Sequence, residues 1–97
     1  MSREERIRVH LSLRGSVQGV GFRYRARHAA QLLGVTGWVT NESDGSVSME
    51  LQGTREEIGR VLEMTERGMF ISIESVQERQ IPVLADERDF VTLDDRW

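Results

Sequence analysis

Arg14-Gly15-Ser16-Val17-Gln18-Gly19-Val20-Gly21-Phe22-Arg23 is the stretch on which the reading of the fold turns. Before it, Ile7, Val9, Leu11 and Leu13 alternate with Arg8, His10, Ser12 and Arg14. That period of 2 predicts a strand with one buried and one wet face. After it, Phe22, Ala26, Ala29, Ala30 and Leu33 recur at helical spacing, so Phe22–Leu33 reads as an amphipathic helix with Gly34 as its stop. Arg25, Arg27 and His28 fall on its solvated face. The change of period marks a strand-to-helix junction, and Gly15, Gly19 and Gly21 lie at it. Glycine tolerates positive φ, so successive N–H groups can converge on one concavity. The helix N-terminus beyond it offers further unpaired N–H groups and the positive end of a dipole. Arg23, in the first turn, adds a planar fork of donors suited to a tetrahedral oxyanion. The residues describe a small phosphate cradle with one guanidinium clamp. On spacing alone they are also compatible with a plain tight turn and a solvated Arg23. Neither the Gly-Lys-Ser/Thr ending of a P-loop nor the Gly-x-Gly-x-x-Gly spacing of a dinucleotide fold is present.

Working outward, Val35–Asn41 reads as a second strand and Asn41-Glu42-Ser43-Asp44-Gly45-Ser46 as a turn, with Asp-Gly as its hairpin signal. Val47, Met49 and Leu51 alternate with Ser48, Glu50 and Gln52 in a third strand, antiparallel to the second and ended by Gly53. Thr54-Arg55-Glu56-Glu57 has the form of a capping box and opens a second helix, which presents Ile58, Val61 and Leu62 and stops near Gly68. Gly59 inside that helix costs about 1 kcal/mol relative to alanine. Phe70–Arg79 reads as a fourth strand whose apolar phase shifts between Ile73 and Val76, the mark of a bulge or an early end. A loop containing Pro82 and running through Leu84-Ala85-Asp86-Glu87 leads to a short last strand, Phe90–Leu93, with Met1–Glu5 a frayed start and Asp94–Trp97 a tail. The order β-α-β-β-α-β predicts an α+β, ferredoxin-like split βαβ sandwich: one antiparallel sheet with two helices on one face.

Ninety-seven residues imply one domain, 1–97, with a shallow site rather than a deep cavity. The absence of cysteine excludes disulfides, thiolate metal sites and cysteine nucleophiles, and His10 and His28 have no partner at metal-ligand spacing. His10, on the wet face of the first strand, reads as a surface residue rather than a catalyst. No apolar run approaches the length of a membrane span and no signal-peptide core appears, so a cytoplasmic protein is the default expectation. Charge is uneven. Up to residue 27 there are seven arginines against two acids; beyond it six stand against fourteen, and the balances of +5 and −8 give the net −3. A positive field around the glycine loop suits a small anion, whereas the acidic remainder does not suit a long nucleic-acid footprint. The wet faces of the first and third strands carry no aromatic residue, which also speaks against RNA binding on the sheet.

Asn41 ends the second strand, which in this topology lies outside the third, itself beside the first. That brings its end toward the glycine loop. Its amide can hold a water without repelling an anion, or can simply cap its own hairpin.

Gly15 through Arg23, together with Leu33-Gly34-Val35-Thr36-Gly37-Trp38-Val39-Thr40-Asn41-Glu42-Ser43-Asp44-Gly45-Ser46-Val47, closely resembles the two signatures of the acylphosphatase family. The match in type and spacing runs from about residue 6 to residue 53, and two separated motifs are far more specific than either alone. The resemblance implies hydrolysis of the carboxyl–phosphate bond of a small acyl phosphate, giving a carboxylate and inorganic phosphate without metal or cofactor. Arg23 and the backbone amides of Ser16, Val17, Gln18, Gly19, Val20 and Gly21 would grip the phosphoryl oxygens. Asn41 would orient the attacking water, and the phosphate itself would take the proton. A monomer acting on many acyl groups is expected, with no membrane or nucleic-acid partner. The alternative is a non-catalytic phosphate-binding regulatory domain of the same fold. Two departures stand out. Ala26 occupies a position where family members often carry Thr, and Gly68-Met69-Phe70 replaces a Gly-Pro-Pro-like turn, a change expected to touch only a remote turn and stability.

Overall fold

The computed structural model describes residues 5–93. The expected polar start up to residue 4 and the tail Asp94–Trp97 lie outside the described residues. The elements are β1 (Arg6–Ser16), α1 (Phe22–Leu33), β2 (Thr36–Asn41), β3 (Val47–Thr54), α2 (Arg55–Glu66), β4 (Ser72–Ile81) and β5 (Phe90–Thr92). They form one five-stranded sheet of order β4-β1-β3-β2-β5, on which the two helices pack. This is the ferredoxin-like α+β fold expected from the βαββαβ order.

The sheet is mixed rather than antiparallel throughout. β4/β1, β1/β3 and β3/β2 pair antiparallel, but β5 joins β2 in parallel. The cause is geometric. Arg8 is level with Ile81 on one side and Gln52 on the other, and Gln52 is level with Thr36, so β4 ends where β2 begins. The chain then crosses the sheet at that end, from one edge to the other. Its next strand can only run away from that end, in the direction of β2.

Ile7, Val9, Leu11 and Leu13 of β1 meet Val47, Met49 and Leu51 of β3 and the apolar stripe of α1, and Phe22 and Phe90 are each almost fully buried. Sealing a side chain of that size stabilises by about 1.5–3 kcal/mol. Gly34 caps α1 with φ 73°, its N–H reaching the carbonyls of Ala30 and Gln31. The capping box of α2 is complete: Glu57 N–H donates to Thr54 Oγ1 at 3.1 Å and Thr54 N–H to Glu57 Oε1 at 3.0 Å. Between Arg14/Ser75 and Gly15/Ile73 the β1–β4 register skips Glu74, which is the bulge announced by the phase shift after Ile73.

The second face of β1 is not wet along its whole length. Arg8 is 1% exposed. The 82–89 crossing lies over it, tied by Gln52, which accepts from Leu84 N–H at 2.8 Å and donates to the Leu84 carbonyl at 2.9 Å. The Arg8 guanidinium sits between Glu87, at 2.6 Å, and Glu50, at 2.9 Å, while Glu50 also meets His10 Nδ1 at 2.8 Å. Strict alternation shows which side chains share a face but not what covers that face.

Two outcomes follow for stability. Gly59 is exposed, and a Cβ added there meets nothing within 4 Å. Gly59→Ala is therefore expected to raise the unfolding free energy by about 1 kcal/mol, read from urea titration. Glu50 titrates below its ordinary value of 4.5: burial acts to raise it, but the hydrogen bonds from His10 and Arg8 and the Arg8 charge outweigh burial. A depressed carboxylate stabilises fully above the unfolded pKa and loses that contribution as pH falls through the folded one. The urea midpoint of the wild type should thus fall more steeply than that of Glu50→Gln as pH drops below the ordinary glutamate value of 4.5.

Candidate active site

The loop between β1 and α1 is held from beneath. Val17 and Phe22 are each 1% exposed, and Val20 packs against the core from between them. Three apolar anchors in six residues fix the backbone, while Gly19 and Gly21 remain at the surface. Both adopt the left-handed region, with φ 72° and 83°. No Cβ would collide at either position, so it is the backbone turn that requires glycine there. Gly21 is the N-cap of α1, no side chain bonds into that cap, and the first turn contains no acidic residue. No acidic residue of its own first turn therefore covers the N-terminal amides of α1, as suits an anion.

Gly15 has a different task. A Cβ there would stand 2.2 Å from the Ser72 carbonyl oxygen, so this glycine serves the close β1–β4 seam at the bulge. Ser16 is the last residue of β1, opposite Ser72, which leaves Val17–Gly21 as the loop proper.

Gln18 lies in the loop, but its side chain turns away toward the β2–β3 hairpin. Its Nε2 donates to the carbonyls of Glu42 and Ser46, each at 2.8 Å. Arg14 reaches the same hairpin through Asp44, at 2.8 Å. Asp44 also accepts from Ser46 Oγ at 2.6 Å and Ser46 N–H at 3.0 Å. Those two bonds, then Arg14, push its carboxyl down to about 2. The hairpin so fastened begins at Asn41, the last residue of β2, which is half-buried with its Oδ1 shielded from solvent. Arg23, also half-buried, stands in the first turn of α1. Glycine loop, Arg23 and the strand end carrying Asn41 thus occupy one end of the sheet.

Arg25 is not on a solvated face. It reaches across to α2 and donates to the carbonyls of Met64, at 2.9 Å, and Thr65, at 3.3 Å, closing the C-terminus of that helix. Ala26 is wholly buried in the core. Sequence reasoning missed the side-chain roles of Gln18, Arg14 and Arg25. Each acts across a tertiary gap, and only the Asp44–Ser46 spacing in the turn hinted at an ordered hairpin.

The acylphosphatase family model matches residues 9–92. The chain belongs to the acylphosphatase family. It is 43% identical to an acylphosphatase of Geobacillus thermodenitrificans over 84 residues, 86% of this chain and 89% of that one. It is 45% identical to an acylphosphatase of Rhizobium etli over 87 residues, 89% of this chain and 90% of that one. Among solved structures, an acylphosphatase from Coxiella burnetii superposes with a TM-score of 0.80 at 32% identity, over 96% of this chain and 100% of that one. The acylphosphatases are hydrolases acting on acid anhydrides.

If the Gln18 tie sets the distance from loop to Asn41, cutting it should impair turnover more than anion binding. Gln18→Ala is expected to lower kcat by about 10-fold or more, since small misplacements at a reacting centre are costly. Inhibition by inorganic phosphate should change far less. Steady-state kinetics with benzoyl phosphate, with and without phosphate, measures both.

Proposed function

We propose that this acylphosphatase holds the phosphoryl group of its substrate in the amides of Val17–Gly21, extended by that of Ser16, with the guanidinium of Arg23 across them. Asn41 holds the attacking water. The observation that carries the reading is the double hydrogen bond from Gln18 to Glu42 and Ser46, because it fastens the anion loop to the hairpin that starts at Asn41.

The substrate phosphoryl group carries negative charge on its non-bridging oxygens, and fixed N–H dipoles plus one guanidinium meet that charge without reorganisation. The water oxygen attacks phosphorus in line with the bridging oxygen. The bond from phosphorus to that oxygen breaks, and its electron pair leaves with the carboxylate. One water proton remains on the new P–OH and the other passes to a phosphoryl oxygen, so the products are a carboxylate and inorganic phosphate. No side chain need act as a base. Catalysis rests on orientation and on electrostatic stabilisation. The same reading has the enzyme working as a cytoplasmic monomer on small molecules; among the described residues no helix is long and apolar enough to cross a membrane.

The test is hydrolysis of benzoyl phosphate, followed by ultraviolet absorbance, with inorganic phosphate as competitor. Arg23→Ala and Asn41→Ala are each expected to lower kcat/KM by at least ~10²-fold while the circular dichroism spectrum stays native. Arg23→Ala should also lose phosphate inhibition, which Asn41→Ala should keep. A folded Asn41→Ala protein with normal turnover would refute the water-positioning role. Phosphate binding without turnover by the wild type would favour the regulatory alternative.

A further inference from the structure

We propose that the turn between α2 and β4 is the rest for the acyl group, and that Met69 and Phe70 on it favour acyl phosphates with bulky apolar acyl groups. This deepens the reading of the site given above and rests on it.

In-line displacement puts the attacking oxygen and the leaving carboxylate on opposite sides of phosphorus. The sheet order fixes which side is which. From the end of β1, the strands β3 and β2, and with them Asn41, lie one way, and β4 lies the other. Water approaching from Asn41 therefore drives the carboxylate toward the β4 side. There Ser16 is level with Ser72 and Gly15 with Ile73, so the residues just before β4 border the glycine loop. The turn is firmly built. Gly68 N–H bonds the Thr65 carbonyl at 3.2 Å, Ile71 N–H bonds the Gly68 carbonyl at 3.1 Å, and Ile71 is buried. Gly68 itself lies against the Arg25 side chain, which joins α1 to the end of α2. This turn is a neighbour of the loop, not the remote feature that its sequence position suggests.

On it stand the two most exposed large apolar side chains among the described residues, Met69 at 86% and Phe70 at 72%. Neither contributes to the buried core. The opposite rim, the hairpin, carries Glu42 and Asp44, which favour water over an apolar group. An acyl group directed to the β4 side would find apolar surface to cover, and its contact area would grow with its size.

The experiment compares benzoyl phosphate with acetyl phosphate, using the full chain, Phe70→Ser, Met69→Ser, Phe70→Leu and, as a control, Leu32→Ser. Leu32 is also well exposed, at 67%, but lies near the far end of α1. Phe70→Ser is expected to lower kcat/KM for benzoyl phosphate by about 5–10-fold, mainly through KM. Met69→Ser should act in the same direction and Phe70→Leu should restore most of the loss. Acetyl phosphate turnover, phosphate inhibition and the Leu32→Ser enzyme should stay within about 2-fold of wild type. An unchanged benzoyl-to-acetyl ratio in Phe70→Ser and Met69→Ser would overturn this proposal and leave the catalytic reading intact. A wild type that cleaves neither substrate would overturn that reading, and the acyl rest with it.

Discussion

Gln18 donates both protons of one carboxamide across the gap between the β1–α1 loop and the β2–β3 hairpin, and the geometry of the site end depends on that bridge. β1 and β2 are not neighbours; β3 lies between them. Ladder hydrogen bonds can set where each strand ends, but not how two loops beyond those ends sit against each other. A neutral carboxamide suits this task. It offers two donors, fits two backbone carbonyls, and adds no charge at that end of the sheet. Arg14 and Asp44 support the bridge from the solvent side. At more than half exposed each, they contribute little on their own.

Much of this arrangement was legible in the chain. The switch from period 2 to period 3.6 at Gly15–Phe22 located the loop, Thr54 and Glu57 announced the start of α2, and the phase shift after Ile73 announced the bulge. These are local signals, set by sterics and hydrogen bonding within a few residues. The place of Asn41 was legible as well: it closes β2 just before the hairpin, as the turn signal after it implied. What could not be read depends on distant parts of the chain meeting. The alternation in β1 gave Arg8 and His10 the same status, yet Arg8 is buried and His10 partly exposed, because the 82–89 crossing covers only one end of the sheet. The parallel pairing of β5 has the same origin.

The count of arginines illustrates a further limit. Seven arginines before residue 28 suggested a broad positive field around the loop. Folding removes part of it. Arg8 is neutralised between Glu50 and Glu87, Arg14 faces Asp44, and Arg25 is bound to the carbonyl end of α2. Each of these pairings joins residues at least 30 positions apart, well outside the N-terminal segment where the excess was counted. The field that a small anion meets is therefore narrower than the composition implies. Part of what remains lies at the α1 N-terminus, where the helix dipole acts at short range.

The two ends of the sheet consequently carry different chemistry. At the end where β4 stops and β2 starts, the crossing chain, Gln52 and the Arg8 cluster form a buried polar network whose titration bears on stability. At the other end the polar groups are backbone amides, one carboxamide bridge and the residues flanking the loop. β1 spans both, with Arg8 near its start and Ser16 at its close. Glu50, held below its ordinary range by His10 and Arg8 against the cost of burial, belongs to the first end. Asp44, the carboxylate that braces the hairpin, is held ionised down to about 2 by Ser46 and Arg14. Each of these carboxylates is thus stabilised in its charged form by partners at its own end of the sheet.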